Sequence, residues 1–273
     1  MAEARVGQGL ADAFARPHRR AALMPYMMGG FPTVEDSLEV GRVYADHADL
    51  IEIGVPFSDP LADGPAIQLA GQRALEAGAT FERVLEEVAR PLAGRVPTVL
   101  MCYANVLLAH GLRDAPAMLA KQGVSGLIVP DMPAAEAGEL RGLCDEAGIA
   151  LVPLVAPTTP PDEVERIAHA ARGFVYVVSV TGVTGERAAL PPELSAVVQR
   201  VRDAARIPVA VGFGVGTPAQ VAEVGEIADG VIVGSRLVRA IAEAQTLEQG
   251  LEDLRSFLGD SVRALSSPYS PDR

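Results

Sequence analysis

Eight short apolar runs alternate with segments of helical periodicity along this chain. Each run is four to seven residues long, which is the length of a buried strand. The runs are residues 22–28, 50–55, 98–103, 126–129, 150–155, 174–179, 209–212 and 230–233. Strands that are apolar throughout and alternate with helices form a parallel sheet that is covered on both faces. The pattern therefore predicts an α/β fold built from eight βα units.

The length of the chain favours closing these units into a single (β/α)8 (TIM) barrel. Such barrels typically have about 250 residues, and this chain has 273. An open, doubly wound parallel sheet is the competing fold. The clearest helical segments are residues 81–93, 134–147, 161–171 and 192–205. We expect one barrel domain over residues 1–265, a short helix at 10–14 that caps the barrel bottom, and a disordered Ser- and Pro-containing tail over residues 266–273.

The composition disfavours several classes of function. A net charge of −12 argues against nucleic acid or an anionic membrane as the main partner. The two cysteines, Cys102 and Cys144, lack metal-like spacing and indicate reduced thiols in a cytoplasmic protein. The four histidines have the context of surface helices and loops, so we predict no metal site. We also find no signal peptide and no apolar run of the roughly 20 residues that a membrane helix needs.

The segment 50–65, LIEIGVPFSDPLADGP, contains the candidate catalytic groups. Glu52 is the single ionisable residue in its apolar run, and burying a charge costs several kcal/mol unless it is paired or protonated. Asp63 follows on the polar loop. Two carboxyl groups in different environments can have separated pKa values, which acid–base chemistry requires. The non-catalytic alternatives are a structural ion pair of Glu52 with Arg42 or Arg73 and an Asx-turn at Asp63.

Glycine-containing segments follow the last three predicted strands, where barrels commonly bind phosphate. They are Gly182-Val183-Thr184-Gly185, Gly212-Phe213-Gly214-Val215-Gly216 and Gly234-Ser235. None contains a lysine, but backbone N–H groups and a helix N-terminus can hold a phosphate without one. Tight turns are the alternative for any single glycine. Their shared position at the ends of neighbouring strands favours a phosphate site.

The segment 50–65 closely resembles the tryptophan synthase alpha subunit family, and the resemblance spans about residues 8–262. It continues through the motifs MCYAN (101–105), VPDMP (129–133), GVTG (182–185), GFG (212–214) and GS (234–235). The resemblance implies a barrel that cleaves indole-3-glycerol phosphate to indole and glyceraldehyde 3-phosphate. It also implies an α2β2 tetramer in which a PLP-dependent beta subunit receives the indole, and no cofactor in this chain.

The resemblance implies a catalytic role for three side chains. Glu52 corresponds to the general acid/base of the family, Asp63 to its second catalytic carboxylate, and Tyr176 to its active-site tyrosine. Plain filling of the barrel is the alternative for Tyr176. Asp59 and Asp131 are expected to shape loops or to face the partner rather than to react.

The resemblance also implies a set of substrate-binding residues. Tyr103 and Ile67 would lie near the indole ring. Thr184 would lie in a lid over residues 181–190 and help to order Asp63, although turn formation is the alternative for Thr184. The implied phosphate ligands are Gly185, Gly214, Gly234 and Ser235.

The chemistry of this cleavage explains why two different carboxyl groups are needed. The bond between indole C3 and the side-chain carbon breaks only after C3 is protonated, so that the donor needs a raised pKa. Glu52 in its apolar strand suits that role. The nitrogen N1 then becomes positive, and an ionised Asp63 would stabilise it. After giving up its proton, Glu52 would accept the proton of the glycerol hydroxyl.

Three other functions stay open on the sequence alone. One is a stand-alone lyase that releases free indole, and another is a catalytically weak barrel that mainly activates a beta subunit. The third is a phosphate-sugar isomerase, which would normally need a Lys or His electrophile that we do not find. The presence of both Glu52 and Asp63 argues against the activator alone.

Overall fold

The computed structural model describes residues 6–15, 19–178, 193–204, 207–212 and 214–266. In this part of the chain, the strands form one parallel sheet in the order β5-β4-β3-β2-β1-β9-β8-β7-β6. The strands are β1 (Ala22–Met28), β2 (Ile51–Gly54), β3 (Thr98–Met101), β4 (Gly126–Ile128), β5 (Ala150–Leu151), β6 (Leu154–Val155), β7 (Val175–Val178), β8 (Val209–Gly212) and β9 (Gly230–Val233).

The sheet closes through β5 and β6, which are two halves of one predicted strand. Their separation falls at Val152 and Pro153, and Pro153 has no N–H to donate to a ladder. β5 pairs with β4, and β6 pairs with β7. The Val152 N–H donates to the Leu127 carbonyl (2.9 Å), while the Pro153 carbonyl accepts from the Tyr176 N–H (3.0 Å). Both edges of the sheet therefore meet at this strand, and the predicted (β/α)8 TIM barrel is confirmed.

Helices follow the strands as the periodicity predicts. They are α1 (Gln8–Phe14), α2 (Val34–Ala45), α3 (Pro65–Glu76), α4 (Phe81–Arg83), a π-helical stretch (Val84–Ala89), α5 (Arg90–Ala93), α6 (Ala104–Ala109), α7 (Ala115–Lys121), α8 (Gly138–Ala147), α9 (Pro161–Ala170), α10 (Glu193–Ala204), α11 (Pro218–Ile227), α12 (Ser235–Ala242) and α13 (Leu247–Leu265). Among the described residues, no helix is both long and apolar enough to cross a membrane.

Threonine caps and early prolines fix several helix starts. The side chains of Thr33, Thr217 and Thr246 accept hydrogen bonds from the backbone N–H three residues on. One predicted start is wrong: α8 begins at Gly138 rather than at residue 134. Residues 134–137 form turns instead, and the Glu136 N–H donates to the Pro133 carbonyl (2.9 Å). The expected tail lies largely outside the described residues, which end at Ser266.

The barrel interior is filled from below by α1. Leu10 is fully buried, and the Phe14 ring lies 5.2 Å from that of Phe174 on the barrel wall. The predicted N-terminal cap of the barrel bottom is therefore confirmed. The filled bottom leaves the carboxyl ends of the strands, which we call the barrel mouth, as the open end of the barrel.

Candidate active site

Glu52 lies at the centre of β2 with its side chain inside the barrel, and none of its surface is exposed. Neither carboxyl oxygen has a hydrogen-bond partner among the described residues. Arg42 instead pairs with Glu39 on the exposed face of α2, so the structural ion pair with Arg42 is not formed. Burial raises the pKa of Glu52 from 4.5 to about 8, and the nearby Asp63 carboxylate contributes in the same direction. Glu52 is therefore a neutral acid at pH 7.

Asp63 lies on the loop between β2 and α3, residues 55–64, which we call the catalytic loop. The Gln68 side chain donates to the Asp63 carbonyl (2.8 Å) and so ties the loop to α3. Burial raises the pKa of Asp63 from 3.8 to about 6, while a hydrogen bond from the Tyr103 side chain acts to lower it. Asp63 is therefore mainly ionised at pH 7. The two predicted carboxyl groups have opposite protonation states in one site.

Tyr103 connects the catalytic loop to the strand beside it. Its hydroxyl accepts from the Ala62 N–H (3.0 Å), and its ring stacks on Phe57 at 5.0 Å between centroids. Ile67 is buried in the first turn of α3, directly after the loop. Phe57 was not predicted from the sequence, since an aromatic residue in a loop carries no periodic signal. These side chains form an apolar wall next to Asp63.

Two tyrosines, Tyr26 on β1 and Tyr176 on β7, extend over glycines on the neighbouring strands. A Cβ at Gly54 would lie 2.1 Å from the Tyr26 hydroxyl, and a Cβ at Gly212 would lie 2.4 Å from the Tyr176 hydroxyl. Burial raises the pKa of both tyrosines, and the charges of Asp63 and Glu52 add to the effect. Glycine is thus required at both positions to give the hydroxyls room.

Tyr26 is a further residue of the site that was not predicted from the sequence. It pairs in register with Glu52, and its ring lies 3.6 Å from the position that a Cβ on Gly234 would take. Its side chain therefore spans the distance between the glycine segment after β9 and the carboxyl groups. The strand alternation contained the signal, because Tyr26 follows the inward-facing Ala22 and Met24 at intervals of two.

Backbone donors dominate the opposite side of the mouth. Gly214 has a φ of 51°, a left-handed conformation that favours glycine. Gly234 precedes α12 and offers no side-chain cap, so no side chain covers the first backbone N–H groups of the helix, which begin at Ser235. The nearby Arg236 bonds Asp253 of α13 (2.9 and 3.0 Å) and covers the Phe257 ring. Gly185, Thr184 and the predicted lid at 181–190 lie outside the described residues.

Other predicted residues have structural contacts. The Asp131 carboxylate accepts from the Ala104 N–H (2.9 Å), which holds the loop after β4 against the start of α6. Asp59 accepts from the neighbouring Ser58 hydroxyl (2.5 Å). Both contacts agree with the expected loop-shaping roles. The described part of the chain contains no group of three His, Cys, Asp or Glu side chains placed to hold a metal.

The fold and the site define an acid–base enzyme of the (β/α)8 barrel class. It combines a neutral buried carboxylic acid, an ionised carboxylate and backbone donors at the carboxyl ends of the strands. The family model for the tryptophan synthase alpha chain matches residues 13–265. This chain therefore belongs to the tryptophan synthase alpha chain family.

Individual relatives and solved structures agree with this assignment. The tryptophan synthase alpha chain of Carboxydothermus hydrogenoformans is 44% identical over 268 residues, covering 96% of this chain and 98% of the relative. That of Prochlorococcus marinus strain NATL2A is 44% identical over 259 residues, covering 93% and 94%. A Mycobacterium tuberculosis tryptophan synthase structure superposes with a TM-score of 0.89 at 35% identity, covering 97% of this chain and 100% of that one.

Membership of the family gives the reaction. The chain is a carbon–carbon lyase that cleaves indole-3-glycerol phosphate to indole and glyceraldehyde 3-phosphate. Alpha chains of this family carry no cofactor, and the PLP belongs to the beta subunit. The phosphate-sugar isomerase alternative is thereby excluded.

Proposed function

We propose that Glu52 and Asp63 carry out this cleavage as a proton donor and an ionised stabilising group. One observation supports the assignment above all: burial, with the Asp63 charge adding to it, raises the pKa of Glu52 to about 8, whereas burial raises that of Asp63 only to about 6. Between these values one carboxyl group keeps its proton while the other is charged. The reaction requires both states, because the neutral acid protonates C3 and the charged carboxylate stabilises the positive N1.

The proposed steps account for every proton that is transferred and for the electron pair of the broken bond. Glu52 donates its proton to indole C3, and the ring becomes an indolenine with positive N1, which the Asp63 carboxylate stabilises. The bond from C3 to the glycerol carbon then breaks, and its electron pair restores the indole. The glycerol hydroxyl loses its proton to the Glu52 carboxylate as the aldehyde forms. Glu52 thus ends the cycle protonated, as it began.

The phosphate end of the substrate would be held by the backbone donors across the mouth. Gly214, Gly234 and Ser235 supply N–H groups at the end of β8 and the start of α12. Gly185 is proposed as a further phosphate ligand and Thr184 as a residue of the lid that orders Asp63. Because Arg236 is bonded to Asp253, we assign the anion to these neutral groups rather than to its guanidinium.

The remaining side chains would hold the middle and the indole end of the substrate. Tyr26 and Tyr176 lie between the backbone donors and the carboxyl groups, where the glycerol chain must pass, and we assign their hydroxyls to its oxygens. Tyr103 and Ile67 would contact the indole ring. Tyr103 would also fix Asp63 through their hydrogen bond.

We further propose that the chain acts as one catalytic domain over residues 1–265, in the cytoplasm, with a beta subunit as its partner. A solved Pyrococcus furiosus relative at 32% identity and a TM-score of 0.83 is described as a mutually activated α2β2 complex. Here Leu61 on the catalytic loop is 95% exposed and Leu108 on α6 is 57% exposed. Exposed leucines on two segments at the mouth indicate a protein-contacting surface.

The test is indole release from indole-3-glycerol phosphate by the purified chain, first alone and then with a beta subunit. We expect slow release alone and a large acceleration by the beta subunit. Leu108→Ser should weaken the acceleration, while Leu75→Ser, at the far end of α3, should not. An equal rate in both conditions would favour a stand-alone lyase. If no indole is released in either condition, the chain would serve only to activate the beta subunit.

A further inference from the structure

We infer that a cleft on the outside of the barrel, between α8 and α9, binds an apolar α-amino acid. The cleft has a volume of about 380 Å³, which lies within the range of small-molecule sites. It is lined by α8, by α9 and by the strand break at Val152 and Pro153. Of the described residues, neither Glu52 and Asp63 nor Gly214 and Gly234 line it.

Two local features leave this space open. The strand is interrupted between β5 and β6 where it lines the cleft, and α8 starts only at Gly138, so residues 134–137 do not cover the wall as helix. Alanines line the cleft where longer side chains would fill it, namely Ala134, Ala137, Ala170 and Ala171. The cavity is therefore built into the fold at the point where the regular βα pattern is interrupted.

The rim of the cleft carries three charged side chains. Within the described residues, the side chains of Arg141 on α8 and of Glu163 and Arg166 on α9 make no hydrogen bond or ion pair, although all three line the cavity. Neighbouring charges behave differently, because Arg172 pairs with Asp145 at 3.3 Å. Two guanidinium groups and one carboxylate on the lining of one cleft match a zwitterion: its carboxylate would bind the arginines and its ammonium group the glutamate.

The floor of the cleft specifies an apolar side chain for this zwitterion. Leu151 and Ile167, which pack in the layer between the barrel and its helices, line it, and Ile167 is 6% exposed. An apolar body would bury against these residues while its charged end stays at the rim. Leu154 pairs in register with Tyr176 on β7. A bound amino acid would thus contact β6, the strand beside β7, which carries the predicted catalytic residue Tyr176.

Calorimetric titration of the full chain tests the proposal, with L-phenylalanine as the probe and two truncated analogues. Phenethylamine lacks the carboxylate, and 3-phenylpropionate lacks the ammonium group. We expect saturable binding of L-phenylalanine, with phenethylamine weakened by about tenfold or more, since a charge-assisted bidentate contact is lost. The affinity for 3-phenylpropionate should fall less. Loss of the ammonium group removes the contact with one glutamate, whereas loss of the carboxylate removes contacts with two arginines.

Variants distinguish the cleft from the barrel mouth. Arg141→Gln and Arg166→Gln should each weaken L-phenylalanine binding, while Arg90→Gln on α5, away from the cleft, should not. Glu52→Gln should leave binding unchanged. The proposal is overturned if L-phenylalanine shows no saturation at tens of millimolar, if phenethylamine binds equally well, if both cleft variants bind as the unmodified chain does, or if Glu52→Gln removes binding.

Discussion

Tyr26 and Glu52 occupy the same level of the barrel as paired residues on adjacent parallel strands, and the Tyr26 hydroxyl reaches past Glu52 to lie over Gly54. Among the described residues, the polar neighbour of the acid is therefore a hydroxyl group rather than a cation. A cation would lower the pKa of Glu52 and ionise it at pH 7. Burial and the nearby Asp63 carboxylate instead keep Glu52 protonated.

Tyr26→Phe should lower kcat for indole release about five- to tenfold, with a smaller effect on KM. The variant keeps the ring but loses one hydrogen bond to the reacting glycerol segment, which corresponds to roughly 1 kcal/mol. The matched control is Tyr44→Phe, because the Tyr44 hydroxyl is buried but bonds the Tyr26 carbonyl on the outside of the barrel (3.3 Å). An unchanged kcat in Tyr26→Phe would remove Tyr26 from the mechanism.

The pH dependence of kcat/KM should be bell-shaped with a maximum between pH 6 and 8. Below about 6 the Asp63 carboxylate becomes protonated, and above about 8 Glu52 loses the proton that it must donate. Because the two carboxyl groups interact, the two apparent pKa values of the profile describe the pair rather than either residue alone. Initial rates of indole release across this range provide the measurement. Activity that keeps rising well above pH 8 would contradict the role of Glu52 as the acid.

Tyr103→Phe should move the acid limb of that profile to higher pH. The Tyr103 hydrogen bond stabilises ionised Asp63, so its loss lets burial raise the Asp63 pKa further. Phe57→Leu is the control, since it removes the ring that stacks on Tyr103 but leaves the hydroxyl in place. An acid limb that moves equally in both variants would assign the effect to packing rather than to the hydrogen bond.

Stability should fall as the pH rises from about 4.5 to 8, because of Glu52. In this window the unfolded chain releases the Glu52 proton while the folded chain keeps it, so the slope of unfolding free energy against pH is negative. At about 1.4 kcal/mol per pH unit, the loss is on the order of 4–5 kcal/mol. Glu52→Gln should remove this loss, whereas the exposed Glu39→Gln should not. Urea titrations at several pH values measure it, and equal slopes in all three proteins would refute a raised Glu52 pKa.

Much of the fold follows from the sequence because alternation and helical periodicity report burial directly. The eight runs became the barrel wall, and residues 10–14 became part of the helix that fills its bottom. The strand break at Pro153 and the late start of α8 were not predicted. Both depend on how strand ends meet across the barrel, which is a long-range property that no local pattern records.

The candidate site, like the fold, was predicted from the sequence only in part. Glu52 was recognisable because a single charge in an apolar run has a known energetic cost, but the absence of an arginine partner among the described residues became visible only in three dimensions. Tyr26 was overlooked, because a tyrosine in a strand resembles ordinary filling until the glycine beside it is seen. Neither the pairing of Tyr103 with the catalytic loop nor the unpaired charges at the outer cleft can be read from spacing alone.

The most direct test of Glu52 as the proton donor is indole release by Glu52→Gln in the presence of saturating beta subunit. Glutamine keeps the shape of the side chain but cannot donate the proton to C3. We predict a loss of about 100-fold or more in kcat, with binding of the beta subunit retained as a sign of correct folding. A Glu52→Gln variant that folds, binds its partner and releases indole at a near-normal rate would contradict the mechanism.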